Sequence, residues 1–94
     1  MATLTFTQVG NKYESNELSG LEKDTVLELN FSSIPEQLGV KIDIYISLSK
    51  TGWSLIFSDV LRQGLTWCLS VAGVSEKAYY KVVTTVNPSS ASYE

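Results

Sequence analysis

Carboxylates are all the acid–base equipment this chain carries. It holds ten Asp and Glu and no histidine, so the usual general base near neutral pH and the commonest metal ligand are both missing. Glycoside hydrolysis needs two carboxyl groups flanking one bond at a set separation. Glu22 and Asp24 fall in a turn-rich stretch, Asp43 on the polar face of a strand pattern, and Asp59 near a strand end. Nothing in their spacing makes two of them converge, and they read as solvated surface charge. A calcium site at 19–24 would draw on Glu22, Asp24 and backbone carbonyls, but the D-x-D-x-D-G type of spacing is absent.

Nucleophiles fare no better. Cys68 is the only cysteine, with no histidine to lower its pKa. Its place in the alternation, opposite Trp67, makes it a small, half-buried strand residue. The serines lie in turns and on polar strand faces, without a G-x-S-x-G elbow. The glycine turns "SKTGW" and "VAGVS" lack the P-loop pattern. "NFS" at Asn30 matches a glycosylation sequon, but without a secretory leader the match reads as chance. No catalytic residue, cofactor or metal site is expected, and the chain does not read as an enzyme.

The elements that must position any binding residues are strands. "TLTFTQV" (3–9), "YESNEL" (13–18), "TVLELNFS" (25–32), "VKIDIYISLS" (40–49), "WSLIFSDV" (53–60), "LTWCLSVA" (65–72) and "YYKVVTTV" (79–86) alternate apolar and polar residues, with turn signals between them. The clearest is 40–49. It places Val40, Ile42, Ile44, Ile46 and Leu48 inward, with Lys41, Asp43, Tyr45, Ser47 and Ser49 outward. The same pattern sets Leu27, Leu29 and Phe31, then Trp53, Leu55 and Phe57, then Leu65, Trp67, Leu69 and Val71 on core-facing sides. Pro35 ends a strand, and one helical turn fits before Gly39. No stretch holds helical periodicity for the ~10 residues a helix needs. The expected fold is all-β, an antiparallel β-sandwich of about seven short strands, with a small barrel as the alternative. Residues 1–86 read as a single domain, and 87–94 as a short polar C-terminal tail.

Composition bounds the partners. Ninety-four residues fit one core, and a net charge of −3 leaves no basic face for nucleic acid. The chain opens on "MATLTFTQVG", without a basic n-region and apolar run, and no window approaches the ~20 apolar residues of a membrane span. The expected compartment is therefore the cytoplasm of the producing cell, or a virion assembled there. With one cysteine and no internal disulfide, a small β domain has a physical reason to gain burial from a partner subunit.

The candidate contacts are aromatic and apolar residues on outward faces. Tyr45 stands on the polar side of the best strand, Trp53 at the mouth of the "SKTG" turn, and Tyr79 outward if Tyr80 is inward. Such rings stack on sugars or anchor protein interfaces. Val26, Ile56, Val60 and Val83 also fall on outward faces, which points to surface buried against another chain. Tyr93 closes the tail, where its ring is placed to dock on a neighbour. The contact set is therefore Tyr45, Trp53, Ile56, Tyr79, Val83 and Tyr93.

The closing segment "YYKVVTTVNPSSASY" (79–93) and the strand pair "KIDIYISLSKTGWSLIFS" (41–58) resemble those of small all-β virion proteins of tailed phages and prophages, among them capsid decoration, head-fibre and tail components. The resemblance lies in general plan: compact strands, no cysteine framework and a short extended end. It carries over no functional residue. It implies a symmetric, usually trimeric, structural role. The expected function is a non-enzymatic homo-oligomeric structural protein docking on a larger assembly. The alternative is a carbohydrate- or receptor-binding β-sandwich module that uses the same aromatics.

Overall fold

Period-two alternation puts successive side chains on opposite faces of a strand, and here it builds two sheets around one core. The structure is a computed structural model and describes residues 2–19, 25–35, 37–71 and 78–93. Ten strands are described: β1 (Ala2–Thr3), β2 (Phe6–Val9), β3 (Lys12–Ser15), β4 (Leu18–Ser19), β5 (Thr25–Asn30), β6 (Val40–Ser47), β7 (Ser54–Leu61), β8 (Thr66–Val71), β9 (Tyr79–Thr84) and β10 (Ser90–Tyr93). One sheet runs β1-β10-β5-β8. The other runs β2-β3-β9-β6-β7, with β4 also paired to β9. Every pairing is antiparallel. The sheets do not close on one another, so the fold is a β-sandwich and not the barrel alternative. No helix in the described residues is long and apolar enough to cross a membrane.

The core lies between the sheets. Leu27, Leu29, Trp67 and Ala91 face it from one side, and Val40, Ile42, Ile44, Tyr80 and Val82 from the other. Leu4, Leu18, Phe31 and Ala78 fill in around them. The alternation in 25–31, at the start of 40–49 and in 79–84 is therefore realised as expected.

Ten strands replace the expected seven because two of the expected strands are broken and residues 90–93 add a tenth. The chain passes from the first sheet to the second at Leu4–Thr5, which splits 3–9 into β1 and β2. Asn16 pins that crossing. Its Oδ1 accepts the N–H of Thr5 at 2.9 Å, and its own N–H donates to the Thr5 carbonyl at 2.9 Å. The second break separates β3 from β4, both of which pair with β9. At the break the Ser15 Oγ takes the N–H of Val82 at 2.9 Å in place of a ladder bond.

Residues 90–93, expected in a tail, are an interior strand. β10 pairs with β1 on one side and β5 on the other. Its backbone supplies the ladder, and only Ala91 and Tyr93 need face the core. Leu48 was expected inward but is 74% exposed, because β6 ends at Ser47 and the chain turns there. The turn is held by Ser47 Oγ, which accepts the N–H groups of Ser49 and Lys50. After Pro35, a bond from Gly39 N–H to the Pro35 carbonyl closes one turn, as expected. The loop expected at 19–24, with Glu22 and Asp24, lies outside the described residues except for Ser19, as does most of that at 73–78.

Candidate functional site

Residues paired directly across an antiparallel ladder share a face of the sheet. On β6 and β9 that rule gathers an outer-face cluster: Asp43 pairs with Val83, and Tyr45 with Lys81. Glu14 on β3 also pairs with Val83. Trp53, just before β7, completes the group. Tyr45, Trp53, Val83, Lys12, Glu14 and Lys81 line a shallow depression of about 300 Å³. The Lys81 ammonium lies 4.4 Å from the centre of the Trp53 ring and 3.1 Å from Glu14 Oε1. A cation over an indole face is attracted by the ring quadrupole, so this ring face is already occupied by the chain itself.

Three of the six candidate contacts thus come together, and three do not. Within the cluster, Val83 is only 7% exposed. Its own chain covers most of it, although it still lines the depression. Tyr79 lies further along the same face, half-buried, with the Lys50 ammonium 4.5 Å from its ring centre. Ile56 sits on β7, at the edge of the sheet. Tyr93 belongs to the other sheet and packs on the core of its own chain, so it is not held out to a neighbour.

The largest departure from expectation is at β7 and β8. Both are terminal strands, one in each sheet, and among the described residues nothing pairs with their outer sides. The pattern places Leu55 (51% exposed), Phe57 (36%) and Leu65 (48%) in the core and Ile56 (41%) among the contacts; all four are exposed, on β7 or just before β8. Two causes act together. An edge strand is covered on one side only. In addition, the register shifts between Ile44, opposite Phe57, and Tyr45, opposite Leu55, leaving Ile56 as an extra residue. Such a bulge moves the residues beyond it to the other face, so Leu55 shares the outer face with Tyr45. Phe57 stays on the inner side, its ring centre 6.4 Å from that of Trp67. Lys12, Glu14 and Lys81 were not singled out from the sequence either. Only strand register, not spacing, brings them beside Trp53.

Asp43 and Asp59 do not come together as a pair. Asp43 pairs with Ser58 and Asp59 with Ile42, which sets the two on opposite faces of the sheet. Asp43 is buried on the outer face, not solvated, and accepts a bond of 2.6 Å from Ser58 Oγ. Asp59 accepts from the Trp67 indole. Among the described residues, no three His, Cys, Asp or Glu come close enough to hold a metal ion. Cys68 is exposed, not half-buried. Desolvation by its neighbours, then the charge of Glu28 and the bond from Sγ to Glu28 Oε1 at 3.7 Å, push its thiol above the usual range. That is the opposite of what activates a nucleophile.

No family model, curated protein or solved structure matches the chain.

Proposed function

We propose that this is a non-enzymatic structural protein that associates with copies of itself and serves as a unit of a larger assembly, such as a virion component. One observation carries the reading: the open flank of β7 and β8. Natural edge strands are guarded by lysine, proline or a covering segment, because unpaired strand edges seek partners. The only charged residue in β7 and β8 is Asp59, which is engaged with Trp67, and neither strand contains proline. Apolar side chains grouped at such an edge are the mark of a contact surface. The resemblance to small all-β virion proteins, in compact strands and the lack of a cysteine framework, is what extends the proposal from self-association to a larger particle. Light scattering over about a hundredfold range of concentration tests it. A closed oligomer is the expected result, and a monomer at every concentration would sink the reading.

A second reading rests on the depression formed with Tyr45 and Trp53, which would make the protein a carbohydrate- or receptor-binding module. Lys81 already lies on Trp53, so a sugar ring would have to use Tyr45 or displace the ammonium. Glycan binding that is lost in Tyr45→Ala, with the protein monomeric, would favour it. Silence across a glycan array would count against it.

A further inference from the structure

We infer that the partner surface is the β7 edge itself, paired antiparallel with β7 of a second copy about a two-fold axis, with Ser58 facing Ser58. This deepens the self-association reading above and rests on it.

The backbone shows which groups are open. The Lys41 carbonyl accepts the Thr85 N–H at 3.2 Å, so Lys41 and Asp43 turn their backbone groups to β9. Val40, Ile42 and Ile44 therefore turn theirs to β7, where they meet Leu61, Asp59 and Phe57. On β7 this leaves Ser58 and Val60 with N–H and C=O directed away from the sheet. A second bond agrees: the Val60 N–H is taken by Asp59 Oδ1 at 2.8 Å, which a group engaged with β6 would not allow. Ser58 is then the edge residue whose donor and acceptor both remain to be paired within β7.

An antiparallel pair with Ser58 opposite its own copy uses both groups twice, once from each chain. Counting outward from it sets Ile56 opposite Val60 and Phe57 opposite Asp59. The two Asp59 carboxylates do not meet. Centring the pair on Asp59 instead would oppose like charges, which destabilises a ladder. The free edge at the far side of the same sheet is a poorer partner. β2 has four residues against the eight of β7, and only Val9 among them is an exposed large apolar residue.

The size is sufficient. Eight residues make a strip roughly 26 Å long, and two sheets about 10 Å apart, with their side chains, make it roughly 20 Å wide. Two copies meeting there cover roughly 1,000 Å² in total, the lower bound for a specific interface. Leu55 and Phe57 belong to β7, Leu65 immediately precedes β8, and all three are exposed. A two-fold pair of this kind is isologous and closes on itself, so the symmetry differs from the trimer implied by the virion resemblance.

Amide exchange of the whole protein, read residue by residue at low and high concentration, tests this alongside solution mass. The expected result is a dimer in which the Ser58 amide exchanges roughly tenfold more slowly at high concentration. Ile56→Lys should weaken the dimer by roughly a hundredfold, while Val26→Lys, on the outer face of the other sheet, should leave it intact. An oligomer, trimer included, whose Ser58 exchange ignores concentration and whose mass ignores Ile56→Lys overturns the β7 pairing and leaves self-association standing. A monomer throughout overturns both.

Discussion

The indole N–H of Trp67 donates to Asp59 Oδ2 at 2.9 Å, tying the terminal strand of one sheet to the terminal strand of the other. The same carboxylate takes the N–H of Val60 through Oδ1. One side chain therefore closes the mouth of the sandwich and occupies an edge amide. Asp59→Ala would leave a part-buried indole N–H without its acceptor. A loss of about 1–3 kcal/mol is expected, read as a lower urea midpoint, with Asp59→Asn retaining most of the stability. A wild-type midpoint in Asp59→Ala would show that the bond contributes nothing.

Ser15 repairs a gap in the sheet. Between β3 and β4 the ladder to β9 is interrupted, and the Ser15 hydroxyl accepts the N–H of buried Val82 while donating to the Asn16 carbonyl at 2.9 Å. Ser15→Ala strands the Val82 donor in the interior at about 1–3 kcal/mol. For a domain of this size that lowers the melting temperature by roughly 4–8 °C per kcal/mol. Ser15→Thr, which keeps the hydroxyl, should fall between. Equal melting of the alanine and wild-type proteins would contradict this account.

Gly39 is held to glycine twice over. Its φ is +69°, and a Cβ placed there would lie 2.6 Å from the Leu61 carbonyl oxygen. The left-handed conformation alone costs a residue with a Cβ about 1–2 kcal/mol. The contact is with backbone of the paired strand and cannot be relieved by a rotamer change. Gly39→Ala should therefore cost more than about 2 kcal/mol, checked by thermal melting. Gly39→Ala melting within a degree or two of wild type would mean the turn is free to move.

The alternation made much of the core legible, because Val40, Ile42, Ile44, Leu27 and Leu29 sit on strands with one face fully covered. It failed where the sheet ends. "WSLIFSDV" looks like a core strand, yet β7 lies at an edge and the bulge at Ile56 resets its faces. It failed also for β10, whose "SASY" carries little hydrophobicity because its neighbours, not its side chains, hold it in place. At the site, residue type was enough to mark Tyr45 and Trp53. Lys81, Glu14 and the buried Asp43 needed the register of three strands. Period two says which side of a strand a residue faces, but not what lies against that side.

Cys68 offers a titration that reports directly on the outer face of the smaller sheet. Its thiol is pushed above the ordinary range by desolvation first, then by the Glu28 carboxylate opposite it, with the Sγ bond to Glu28 adding to the effect. The folded state thus holds the proton more tightly than the unfolded chain. The associated stability is present below the unfolded thiol's pKa and is lost as pH rises through the folded one. Alkylation by iodoacetamide follows the thiolate, so its rate should rise at higher pH in the folded protein than in urea. Glu28→Gln removes the charge but not the desolvation, and it should move the inflection part of the way down. An inflection that stays where it is in Glu28→Gln would show that Glu28 does not govern this thiol.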